Sequence, residues 1–204
     1  LIAEKTNIYD NPNIRKVHKT PTPLLGGIAV YIAFASAVIY NDVFSDELKG
    51  VAIGATVIFV LGIIDDIVGL SAVLKLIVQS IAVFIMITYG VVADFLPNTF
   101  WGHVGEIAIT YIGVLGITNA LNFFDGMDGL ATGLTSIIAL FLVFLAIQTG
   151  QYFLAYLSTA LLGSSLGFFP YNFRLKNPAL IFLGDGGSTF MGFMLAGLTV
   201  MGDW

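Results

Sequence analysis

Seven long apolar stretches divide this chain, near residues 24–40, 50–64, 72–92, 106–122, 130–148, 152–169 and 180–202. Nothing else in the sequence limits the fold so strongly. A helix crosses a bilayer with about 20 predominantly apolar residues, within roughly 17–25. The pattern predicts an all-α fold: a polytopic integral membrane helical bundle with about seven spans. The second stretch is short unless its helix continues through Asp65 and Asp66. Composition agrees, with 57% hydrophobic and only 10% charged residues, against about 25% charged in a soluble domain. Mean hydropathy is +0.93.

No repeat or long linker divides the 204 residues, so 1–204 reads as a single transmembrane domain. Leu1 is not an initiator Met and Trp204 follows an apolar run directly, so the expectation is a domain truncated at both ends. The absence of cysteine excludes disulfides. The net charge of −5 comes mostly from acidic residues in loops and segment ends. No basic stripe exists to hold nucleic acid.

Basic residues orient the bundle. Lys5, Arg15, Lys16, Lys19, Lys75, Arg174 and Lys176 fall on one side by parity, and Lys49 alone falls on the other. The positive-inside rule makes the richer side cytoplasmic. Asp65-Asp66, Lys75, Asp125, Asp128, Asp185 and His18 all share that side, whereas the opposite loops carry no motif.

Each cluster has its own chemistry. In IIDDIVGLSAVLK (63–75), adjacent carboxylates repel unless a cation or proton intervenes. Ser71 is placed to cap the next helix, with Lys75 in its first turn; there a cation opposes the helix dipole unless an anion is bound. In NALNFFDGMDGL (119–130), Asn119, Asn122 and Asp125 lie on one helical edge, and Gly126 and Gly129 mark a helix end. Their oxygens are hard donors suited to Mg²⁺ with waters or phosphates completing its shell. In FLGDGGSTFMG (182–192), Asp185 precedes glycines, Gly186 among them, that let the backbone approach a ligand. Ser188 is a candidate cap there, and free N–H groups at a helix start favour phosphate. In RKVHKTPTPLLGG (15–27), the basic run orients the chain or collects anionic groups, and His18 is a candidate donor or base. The bland alternatives are solvated helix ends, an Asp-Gly turn, a plain turn and an orientation signal.

A magnitude weighs against scattered acids. One Asp at the bilayer centre costs about 2.5–3.5 kcal/mol, so five unpaired ones cost roughly 12–18. That matches or exceeds a typical domain stability of about 5–15 kcal/mol. Asp65, Asp66, Asp125, Asp128 and Asp185 must therefore face water, each other, Lys75 or a metal.

RKVHKTPTPLLGG, GIIDDIVGLSAVLKLIVQ, NALNFFDGMDGL and FLGDGGS, in this order, resemble the polyprenyl-phosphate N-acetylhexosamine-1-phosphate transferases (glycosyltransferase family 4). The likeness runs from about residue 12 to 192, and the RKxH opening is most similar to the branch using UDP-N-acetylglucosamine. The resemblance implies transfer of sugar-1-phosphate from a UDP-sugar to a polyprenyl (undecaprenyl) phosphate, releasing UMP and starting a cell-envelope polysaccharide, lipopolysaccharide or teichoic acid. It implies Mg²⁺, with Mn²⁺ as substitute, held by Asn122 and Asp185, and Lys75 on the pyrophosphate. Asp65 or Asp66 would activate the lipid phosphate, Asp128 would lie toward the uridine, and Asp125 and Asn119 would complete the polar wall. Gly186 and His18 join the expected substrate contacts. The implied setting is a bacterial inner membrane, with a cytoplasmic-facing site in an architecture of about ten or eleven spans and room for a homodimer.

Family members also carry a later histidine-rich loop that helps select the sugar. These 204 residues stop before it and are expected to turn over poorly alone. The alternatives are the related phospho-N-acetylmuramoyl-pentapeptide transferase branch, an ion-coupled transporter, a CDP-alcohol phosphotransferase or a non-catalytic scaffold. Clusters on a single face and no inverted halves count against the transporter. Ala131-Thr132-Gly133 lacks the Arg that the CDP-alcohol enzymes place after their first Asp-Gly.

Overall fold

A computed structural model describes residues 9–10, 21–42 and 44–204. His18, with Lys5, Arg15, Lys16 and Lys19, lies outside the described residues. Seven helices follow one another among them: α1 (Gly26–Tyr40), α2 (Asp46–Val68), α3 (Ala72–Thr88), α4 (Phe100–Phe124), α5 (Leu130–Gln148), α6 (Tyr152–Asn172) and α7 (Gly184–Met201). Strand pairing among the described residues is limited to a two-residue antiparallel ladder, β1 (Tyr9–Asp10) with β2 (Thr22–Pro23). The expected all-α membrane bundle is what forms. By length and composition α2, α4, α5 and α6 suffice to cross a membrane, and α1 and α3 are shorter apolar helices.

Local sequence sets the helix ends. Ser45 accepts the Leu48 N–H at 3.0 Å and Asp46 and Glu47 occupy the first turn of α2, where negative charge complements the helix dipole. This helix does run through Asp65 and Asp66, stopping at Gly69 with φ 68°. Ser71 caps α3 by accepting the Leu74 N–H at 3.3 Å, which puts Lys75 in the first turn. Thr99 caps α4 in the same way at 3.0 Å. Gly129, at φ 74°, opens α5 against Phe173, which a side chain there would strike.

The centre of the bundle is α7, which touches α1, α2, α4, α5 and α6. Its buried positions run from Gly184 to Leu198 with Asp185 alone left half-exposed. Glycine makes this possible: a Cβ on Gly27 would overlap Gly187, one on Gly62 would overlap Gly186, and one on Gly192 would press the Thr118 backbone. Such small contacts let helices approach closely in lipid. Around this axis, α5 pairs with α6, and α3 packs on α2 and more lightly on α4. The outward face of α3 carries exposed Val73, Leu76, Ile77, Ile81 and Phe84, an apolar surface suited to lipid.

Candidate active site

The topology brings the C-terminal ends of α2 and α4 and the N-terminal ends of α3 and α7 to one end of the bundle. The last turn of α2 projects Asp65 and Asp66, successive residues that point about 100° apart around the helix. Asp65 turns toward α3. Its Oδ2 lies 2.6 Å from Lys75 Nζ and its Oδ1 accepts the Leu70 N–H at 2.6 Å. Lys75 also reaches Asp185 Oδ2 at 3.3 Å, so one ammonium bridges two carboxylates from different helices.

Asp66 turns the other way, toward the start of α7. Its Oδ1 accepts the Asp185 N–H at 2.9 Å and its Oδ2 the Gly186 N–H at 3.2 Å. The open N–H groups expected at this helix start are therefore taken up by a carboxylate of α2. Gly186 is buried against Ile63, so its lack of a side chain serves the α2–α7 approach. Ser188, expected as the cap, instead lies inside α7 and donates to the Gly184 carbonyl at 2.9 Å. The helix starts earlier because its cap comes from a neighbouring helix.

From α4, Asn122 donates to Asp185 Oδ1 at 2.9 Å and to Ser188 Oγ at 3.0 Å. One turn earlier, Asn119 pairs with Gln79 of α3, donating to its Oε1 at 2.8 Å and accepting from its Nε2 at 3.2 Å. Just past α4, burial and the charges of Asp185 and Asp66 push the Asp125 carboxyl well above the usual carboxylate range, against the Gly184 N–H it accepts. Asp128 is exposed and stands apart from this group; its Oδ2 accepts the Ala179 N–H at 3.0 Å, tying its loop to the segment before α7.

Asp65, Lys75, Asn119, Asn122 and Asp185 line one cleft with Gln79 and Thr189. Sequence reasoning missed Gln79, though its place one turn after Lys75 on the same helical face was a usable signal. It also missed Asn172, which accepts the Gly129 N–H at 3.1 Å and secures the turn after Asp128.

Among the described residues, Asp65, Asp66, Asp125 and Asp185 bring four carboxyl groups to this end, two of them paired with the ammonium of Lys75. Such a group attracts a cation. Among the described residues no three His, Cys, Asp or Glu side chains form a ready metal cage. Mg²⁺ does not require one, since it commonly binds through one or two carboxylates, waters and substrate phosphates. Asp185 supplies such a carboxylate, and a half-turn of the Asn122 amide brings its oxygen to the same space. The residues fit that ion.

Residues 48–203 match the family described as glycosyl transferase family 4. The chain belongs to glycosyl transferase family 4. The family match takes in nearly all of α2 and everything from α3 to α7, hence every clustered residue above. The chain is 35% identical over 207 residues to a protein of Bacillus subtilis (strain 168) named probable undecaprenyl-phosphate N-acetylglucosaminyl 1-phosphate transferase, covering 98% of this chain and 57% of that relative. It is 38% identical over 219 residues to a decaprenyl-phosphate N-acetylglucosaminephosphotransferase of Mycolicibacterium smegmatis, covering 96% and 53%. Against a phospho-N-acetylmuramoyl-pentapeptide-transferase of Carboxydothermus hydrogenoformans the identity is 29% over 212 residues, covering 92% and 64%. The chain spans a little over half the length of the first two relatives.

Proposed function

We propose that this chain carries the catalytic centre of an enzyme that transfers N-acetylglucosamine-1-phosphate from UDP-N-acetylglucosamine to polyprenyl phosphate. The observation that carries the reading is the meeting of Asp65, Lys75, Asn122 and Asp185 in one cleft, from four different helices. A phosphate oxygen of the lipid attacks the sugar-linked phosphorus of the UDP-sugar. A new P–O bond forms, the bond to UMP breaks, and UMP leaves with the electron pair. The product is a lipid-linked pyrophosphoryl sugar, the opening step of an envelope polymer.

Catalysis of phosphoryl transfer depends mainly on positioning and charge stabilisation. Lys75 neutralises the pyrophosphate. Asp65 or Asp66 would receive the proton of the lipid phosphate; Asp65 lines the cleft beside Lys75, which favours it over Asp66, whose oxygens face the start of α7. Asn122 and Asp185 would hold Mg²⁺, whose chemistry when bound is to offset charge on the transferring phosphate. Asp128 would lie toward the uridine, and Asp125 would complete the polar wall. Lys75, Arg174 and Lys176, with the basic residues of the N-terminal sequence, would orient this end toward the cytoplasm of a bacterial plasma membrane. The higher identities to N-acetylglucosamine-transferring relatives support that sugar over the muramoyl-pentapeptide.

The test is turnover of radiolabelled UDP-sugars with undecaprenyl phosphate by the full-length protein. Labelled lipid from UDP-N-acetylglucosamine supports the reading. Labelled lipid only from UDP-N-acetylmuramoyl-pentapeptide would move it to the related branch.

A further inference from the structure

Gln79 is 2% exposed on a helix whose other face is apolar and outward-looking, and it lines the cleft. Its amide forms a reciprocal pair with Asn119, N–H to oxygen in both directions, at 2.8 and 3.2 Å. The second amide hydrogen of Asn119 goes to the Leu115 carbonyl at 2.8 Å, so both donors of Asn119 are spent on protein. In register, Gln79 lies one turn from Lys75 on α3, and Asn119 one turn from Asn122 on α4. The amide pair therefore forms the floor beneath the two residues that flank Asp185.

The contact between these helices is otherwise slight. Toward α4, α3 offers a hydroxyl pair, Ser80 with Tyr111 at 2.7 Å, and the tilted rings of Phe84 and Tyr111. Both lie further from the cleft along α3. Interhelical hydrogen bonds in lipid contribute modestly to stability, whereas a misplacement of about 1 Å at a reacting centre costs roughly 10²-fold in rate. A pair this small matters more for where it holds Lys75 than for whether the bundle folds.

We propose that Gln79 is a positioning residue, whose pairing with Asn119 sets the spacing of α3 and α4 and thereby the reach of Lys75 across the cleft. Its effect on turnover rests on the transferase reading above; its effect on helix spacing does not. In the full-length protein, Gln79→Leu is expected to lower kcat about tenfold or more, with the melting temperature and the KM for polyprenyl phosphate little changed. Asn119→Leu should do the same, and the double variant should be no worse than the worse single, because both remove one interaction. The swap of Gln79→Asn with Asn119→Gln conserves the combined side-chain length and should recover most of the rate. Additive losses, or no recovery by the swap, would overturn the proposal in favour of separate contacts with a ligand.

Spacing is read without any substrate. These 204 residues hold no cysteine, so in the full-length protein with any other cysteine replaced, paired spin labels at Val73→Cys and Ile112→Cys, both exposed positions, report the α3–α4 distance directly. Gln79→Leu should shift or broaden that distance and the swap restore it. An unchanged distance overturns the proposal even if turnover falls. A changed distance in a protein that turns over no UDP-sugar would uphold the proposal and reject the transferase reading instead.

Discussion

Two regions of this bundle bury polar groups, and they close their accounts differently. Between α5 and α6, Thr132 donates to Asn172 Oδ1 at 3.0 Å, Ser136 to Ser165 at 2.9 Å, and Ser165 back to the Thr132 carbonyl at 2.8 Å. Every member of that chain is neutral and finds its partner within the protein. At the end where α2, α3, α4 and α7 meet, the two carboxylates Asp65 and Asp185 share the ammonium of Lys75 among the described residues. A neutral network closed on itself fastens helices together, as small polar side chains do in lipid. A charged one with carboxylates to spare keeps capacity for a ligand, and ionisable groups inside membranes mark function by default.

The largest separation between the regions should come from Asp185. Asp185→Asn removes the negative charge that Lys75 meets and that the proposed Mg²⁺ would share, and turnover of the full-length protein is expected to fall about 10²–10³-fold. Its melting temperature should barely move. A loss of folding with turnover per folded molecule preserved would erase the distinction. Next in size is Lys75→Met, which keeps the stem and deletes the charge. Hydrogen bonds to charged groups contribute about 1.5–3 kcal/mol, so the dissociation constant for the UDP-sugar should rise roughly 10–100-fold. Equilibrium binding of UDP-sugar checks this, and an unchanged constant would remove Lys75 from the substrate contacts.

Adjacent residues test the comparison within one helical turn. Asp66→Asn places an amide NH₂ against a backbone N–H at the start of α7, where the carboxylate accepts two. Leaving a buried donor unpaired costs about 1–3 kcal/mol, so the unfolding midpoint should fall. Asp65→Asn keeps an acceptor for Leu70 and leaves Lys75 its second carboxylate, Asp185, so it should cost less stability than Asp66→Asn while reducing turnover. Thermal unfolding and rate measured on both variants provide the check; the reverse pattern would exchange their roles.

That division was beyond the sequence, and the reason is physical. Windows of apolar residues reveal spans, and the parity of their connections revealed that Asp65, Lys75, Asn122 and Asp185 share an end. The length a span needs also let α2 be carried through its acidic pair as an alternative, and Gly69 and Ser71 bound it in the structure. What two identical neighbours do depends on which helix each faces. Composition cannot tell that Asp66 meets α7 and Asp65 meets α3. The glycines at the start of α7 were read as letting the backbone approach a ligand, and in the structure Gly186 and Gly187 lie against α2 and α1, with Gly192 against α4. Gln79 looked like a tolerated polar residue because its partner lies 40 positions away. Asn119, expected along the polar wall, does line it, yet spends its donors on Gln79 and Leu115.

The smallest effect belongs to the neutral region. Thr135 on α5 and Ser158 on α6 are fully buried with hydroxyls that meet no partner, unlike their neighbours Thr132 and Ser136. An unpaired buried hydroxyl opposes folding, and valine matches threonine in shape. Thr135→Val should therefore leave stability unchanged or raise it by up to about 1 kcal/mol. Thr132→Val deletes a made bond and should lower stability by about 0.6 kcal/mol, the average for such pairs in membranes. Melting temperatures of the two variants in the same detergent give the sign of each. Neither change should alter turnover, because neither hydroxyl reaches the cleft. If Thr135→Val instead destabilised more than Thr132→Val, the closed network would extend one residue further along α5 than the hydrogen bonds indicate.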